Sequence, residues 1–98
     1  MDNSFEQACR DTALRIAEIV ISKQHDYGYE NILAFREQGL VLRLWDNVSR
    51  LKNLIWGKGT PKNESIEDTF IDIAGYAIIG LMLANETFTN ELKENING

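Results

Sequence analysis

The chain's 98 residues, 44% hydrophobic and 26% charged, fit a single soluble globular domain over 1–98 and leave no room for a second. A formal charge of −5 excludes a general polyanion binder, because affinity for a nucleic acid polymer comes largely from neutralising many phosphates. A chain this short has a marginal core of its own, so a homo-oligomer is expected.

The lone Cys9 permits no intramolecular disulfide, and the acidic N-terminal residues include no apolar stretch of signal-peptide type. The longest near-apolar run, 73–84, is too short to span a bilayer and follows Asp72 directly. A cytoplasmic location without a membrane partner is the expectation.

Taken in chain order, Phe5, Ala8, Cys9, Thr12, Ala13, Ile16, Ile19 and Val20 recur at three- and four-residue steps. This spacing predicts an amphipathic helix from about Ser4, as N-cap, to about Lys23, with Cys9 as a small core residue. Residues 24–31, with Asp26, Gly28 and Asn31, read as a connector. A short helix over 32–38, closed by Gly39 as C-cap, precedes a longer one from about Leu40 to Trp56. On the longer helix Leu40, Leu44, Val48, Leu51 and Ile55 are the expected buried face, while Arg43, Asp46, Asn47, Arg50 and Asn53 form a polar stripe.

Residues 57–62, containing the one proline, Pro61, read as a link. Asn63 or Ser65 then caps a helix to about Asn85, whose expected buried face includes Ile66, Phe70, Ile73, Ala77 and Leu81. Its Glu64, Asp68 and Asp72 align as an acidic stripe, and its small residues, Gly75 and Gly80 among them, suit a helix–helix or subunit interface. From about residue 86 the tail is polar and reads as a weak, fraying helix. The whole is an all-α bundle of about four helices.

The chemistry turns on a cationic stripe, Arg43 and Arg50, and an acidic one, Asp68 and Asp72, on helices that a short link folds together. Two readings are open. In one, the stripes neutralise each other as interhelical ion pairs and the module is structural. In the other, they surround a pocket in which Lys23, Arg43 and Arg50 take up phosphate while carboxylates hold a divalent cation such as Mg²⁺. The connector adds Tyr27 and Tyr29, whose rings stack on a nucleobase or else cover the core edge. His25 has no second His or Cys at ligand spacing, which disfavours zinc.

Three segments in order, Lys23 … Asp26-Tyr27-Gly28, then Gly39 … Arg43-Leu44-Trp45-Asp46-Asn47-Val48-Ser49-Arg50-Leu51, then Glu64-Ser65-Ile66-Glu67-Asp68-Thr69-Phe70-Ile71-Asp72-Ile73-Ala74-Gly75-Tyr76-Ala77, resemble the nucleotide modification associated domain. This family of small proteins is common in phages and prophages and is similar to the all-α nucleoside triphosphate pyrophosphohydrolases of the MazG type. The resemblance covers roughly 23–83 and implies a MazG-like helical fold, an oligomer, and a nucleotide-related role with Asp26, Arg43, Asp46, Arg50, Asp68 and Asp72 at motif positions. MazG-type enzymes bind Mg²⁺ through a Glu-x-x-Glu pair and a Glu-x-x-Asp pair on successive helices. Here the 40–56 helix has no Glu, and Thr69 stands three residues before Asp72. The leading expectation is therefore a nucleotide-binding protein without MazG-type hydrolysis, its ligand contacted by Lys23, Asp26, Tyr27, Tyr29, Arg43, Asn47 and Arg50. A Mg²⁺-dependent pyrophosphohydrolase with Asp46, Asp68 and Asp72 as metal ligands is the alternative.

Overall fold

A computed structural model describes residues 3–58 and 63–88, apart from the side chains of Tyr27, Asn63 and Glu64. The described residues form three helices and no strand: α1 (Ser4–Tyr27), α2 (Glu30–Trp56) and α3 (Asn63–Ala84). The link residues 59–62, with Pro61, and the tail beyond Phe88 lie outside the described residues.

α1 is longer than its apolar period indicates. Asn3, without a side-chain cap bond, occupies the N-cap position instead of Ser4, and the helix runs through Lys23, Gln24 and His25 to Tyr27. Its end is set by Gly28, whose φ of +83° is a conformation that L side chains resist; the Gly28 N–H closes the last turn on the Gln24 carbonyl at 2.8 Å. The connector thus shrinks to Gly28 and Tyr29.

The break anticipated at Gly39 falls instead at Arg36. Arg36 has φ 50° and ψ −135°, and the two helical pieces on either side of it read as one kinked α2. Gly39 lies inside the second piece and acts by its size: a Cβ there would meet the Phe35 Cβ at 2.8 Å, because the kink folds Phe35 back over it.

α3 is the central element, packing against α2 over much of its length and against α1 over less. The pairings Arg15–Glu67 and Lys23–Asp72 show that α1 and α3 run in the same direction. Glu67 is only four residues into α3, whereas Arg15 is eleven residues into α1, so the first turns of α1 extend past the start of α3. Every described residue up to Arg15 is consequently exposed, Cys9 and Phe5 included, and the face that was expected to be buried is covered only from Ile16 onward.

The core is small and sits where the α1–α2 turn meets the end of α3: Tyr29, Ile32, Leu40, Ile79, Leu83 and Phe88, flanked by Val20, Leu33, Tyr76 and Met82. Phe88 belongs to what reads as a fraying tail, yet it is 2% exposed. α3 ends in a Schellman turn, with the Thr87 N–H on the Met82 carbonyl (2.8 Å), the Glu86 N–H on the Leu83 carbonyl (3.2 Å) and Glu86 in left-handed conformation at φ 63°. This turn carries Phe88 back onto Tyr29, ring edge to face at 5.5 Å.

The faces of α2 and α3 correct the periodicity reading. α2 turns Leu40, Leu44, Asn47, Leu51 and Leu54 inward and leaves Val48 and Ile55 about half exposed. α3 buries Thr69, Gly75, Ile79 and Leu83, while Phe70, Ala77 and Leu81 face outward. Both helices are thus apolar on more than one side.

Candidate functional site

Because α1 and α2 both lean on α3 and scarcely on each other, a groove opens between them with α3 as its floor. Its first part is a cavity of about 320 Å³, walled by Ile19, Val20 and Lys23 of α1, Asn31, Ile32 and Arg43 of α2, and Asp72, Tyr76 and Ile79 of α3. A second cavity of about 440 Å³ shares Ile19, Lys23, Ile71 and Asp72 with the first and adds Arg15, Arg50, Ser65, Asp68 and Thr69. The first part is the more apolar, and the second is lined mostly by hydroxyls and charges.

The ion pairs of this groove run from α1 to α3 rather than between the stripes of α2 and α3. Asp72 is held by the Lys23 ammonium at 3.3 Å, and Glu67 by Arg15 at 2.9 Å. Among the described residues neither Arg43 nor Arg50 has a carboxylate partner. Arg43 instead sits over the Tyr76 ring, 5.8 Å from its centre. Glu67 and Asp72 of α3 are thus neutralised from α1, while Asp68 of α3 and Arg43 and Arg50 of α2 make no ion pair among the described residues.

Lys23, Arg43, Arg50, Asp68 and Asp72 are brought together along this groove. The other candidate positions lie elsewhere. Tyr29 is buried in the core against Phe88, not on the groove wall, because Gly28 turns the chain inward there. Asp26 is exposed beside His25, 4.0 Å away, and Asn47 donates from Nδ2 to the Arg43 carbonyl one turn back, at 2.9 Å. Asp46 is exposed and lines neither cavity. Tyr27 closes α1, and its side chain lies outside the described residues. Among the described residues no group of three His, Cys, Asp or Glu side chains converges as a metal site, so Asp46, Asp68 and Asp72 do not form one set.

Among the groove residues that escaped the sequence reading are Arg15, Gln24, Asn31 and Tyr76. Arg15, Ile19 and Lys23 recur at four-residue steps, so that one face of α1 carries both cations, and Tyr76 stands one turn beyond Asp72 on α3. Those two were legible. Gln24 and Asn31 reach the groove only through the position of the Gly28 turn; the Gln24 Oε1 atom is shielded there without a hydrogen-bond partner.

The fold and groove define an all-helical chain with a cation-lined cleft of small-ligand size, and no described helix is long and apolar enough to cross a membrane. Residues 23–83, more than half of the chain, match the family described as Nucleotide modification associated domain 1, and the chain belongs to that family. No curated protein and no solved structure matches it.

Proposed function

We propose that this protein binds a nucleotide or nucleotide-derived ligand in the α1–α3–α2 groove and does not hydrolyse it. The observation that carries the reading is the pairing pattern: Arg43 and Arg50 line the groove without a carboxylate partner among the described residues, while Lys23 and Arg15 occupy Asp72 and Glu67. Guanidinium groups in that state suit the bidentate recognition of phosphate. The apolar part of the groove, with Tyr76 and the isoleucines, suits a base. Family membership supports the nucleotide connection. The resemblance to phage proteins of MazG-like fold extends the reading to sequestration of a host nucleotide signal in the host cytosol.

The experiment is a panel of mono-, di- and cyclic oligonucleotides tested by thermal shift, with and without Mg²⁺, followed by recovery of ligand from heat-denatured protein. A stabilising ligand recovered intact supports the proposal. Release of pyrophosphate or monophosphate moves the assignment to a Mg²⁺-dependent pyrophosphohydrolase, and the absence of any shift leaves a structural helical module. Arg43→Ala should weaken binding at least tenfold, the loss of one charge-assisted contact of about 1.5–3 kcal/mol, with the unfolding midpoint nearly unchanged. On the ion-pair reading, the same variant would chiefly lower the midpoint.

A further inference from the structure

The two cavities of the groove meet at a waist where Ile19, Lys23, Ile71 and Asp72 line both, and the Lys23–Asp72 pair, 3.3 Å apart, stands in it. Each cavity has one arginine of α2 to itself: Arg43 lines the more apolar cavity and Arg50 the polar one. Neither has a carboxylate partner among the described residues. They lie seven residues apart on the straight part of α2, two turns, which sets them about 10 Å apart along its axis. The groove therefore offers two separate points of positive charge, one on each side of an ion pair whose own charges are already matched.

Granted that the groove binds a nucleotide, we infer that its ligand carries two phosphate groups set apart by a sugar, and not phosphates joined in a single polyphosphate chain, an assignment that rests on the nucleotide reading. In a nucleoside triphosphate the negative charge is gathered at one end and the base at the other end is neutral. Such a ligand answers one arginine and leaves the other. Arg43 is half-buried in the more apolar cavity, where a cation without a counter-charge is costly. The polar cavity opposes a polyphosphate for a second reason. Asp68 and Asp72 line it together with Arg50, so several negative charges concentrated there meet two carboxylates, of which Asp68 has no cation of its own among the described residues. One phosphate at Arg50 and another at Arg43 distribute the charge as the two guanidinium groups do, with the sugar between them crossing the waist beside Lys23. Two kinds of ligand share this chemistry: a single nucleoside phosphorylated on both its 3′ and 5′ oxygens, and a short oligonucleotide whose phosphates alternate with sugars.

The test is the order of affinities of the purified full chain, measured by titration calorimetry in EDTA. The probes are a nucleoside 3′,5′-bisphosphate, a 5′-phosphorylated dinucleotide, a 5′-monophosphate and a 5′-triphosphate, each with all four bases. One of the first two should bind at least about tenfold more tightly than the monophosphate and triphosphate of the same base, and which of them does so separates the single nucleotide from the oligonucleotide. Arg43→Ala and Arg50→Ala should each weaken that binding about tenfold or more, the loss of one charge-assisted contact, whereas the monophosphate, which reaches one arginine, should lose affinity in only one of the two variants. Neither arginine has an ion pair to lose among the described residues, so both variants should keep the helical circular dichroism of the unaltered chain. Should either fail to fold, the order of affinities of the unaltered chain decides alone. A monophosphate or triphosphate that binds as tightly as both two-phosphate probes overturns the inference and leaves nucleotide binding intact. A folded variant with unchanged affinity for the preferred probe does the same. Binding of no probe at all overturns nucleotide binding and this inference together.

Discussion

Two residues hold backbone conformations that their side chains disfavour, and each marks a place where the chain must change course. Glu86 takes the left-handed position of the Schellman turn that a glycine usually fills, and Arg36 lies at positive φ within α2. Glu86→Gly should therefore stabilise the fold by about 1 kcal/mol, read as a higher denaturant midpoint at unchanged slope. The purpose of that turn is to deliver Phe88 to Tyr29. Phe88→Ala should cost about 3 kcal/mol, the usual range for a fully buried aromatic ring, in a core this small. Neither effect was visible in the sequence, where Glu86 and Thr87 read as the start of a polar tail; a single Phe after such residues gives no periodic signal.

At the scale of the element, helix identity was legible and helix facing was not. The starts of α1 and α3 and the end of α2 follow the sequence pattern closely, because caps, glycines and the 3.6-residue period are local properties. The break in α2 was also signalled by Gly39, but at the wrong residue and for a different reason. Its small size accommodates Phe35 across the kink, which sequence alone does not reveal. The contrast with Gly80 makes this measurable. Gly39→Ala should destabilise by about 1–3 kcal/mol, since the new Cβ would lie 2.8 Å from the Phe35 Cβ. Gly80→Ala meets only the Leu40 Cδ1 atom at 3.7 Å, an ordinary contact, and should gain up to about 1 kcal/mol of helix propensity. Parallel denaturant titrations of the two variants should move in opposite directions.

For the molecule as a whole, the cationic and acidic stripes were found in the sequence, but their partners were not. Arg43 and Arg50 against Asp68 and Asp72 is the simplest pairing when two helices are considered. The third helix changes it, because Lys23 and Arg15 reach across from α1 and satisfy Asp72 and Glu67 first. Those two pairs are half-exposed and contribute little to stability, so α1 is attached to α3 mainly by Ile16, Ile19 and Val20. The Val20 methyl that faces Gly75 packs within 3.2 Å of where a Cβ would stand, so an alanine there requires Val20 to shift by a few tenths of an ångström.

An arm fastened along one edge only has a mechanical consequence. The three helices make two sides of a triangle, and the third side, between α1 and α2, is the open mouth of the groove. A ligand that touches Lys23 on one bank and Arg43 on the other becomes that missing side. Its binding should then be felt most strongly far from any phosphate, as slowed amide exchange along the second half of α1, with little change in the core around Leu83. The protein would in this way register an occupied groove as a stiffening of its first helix.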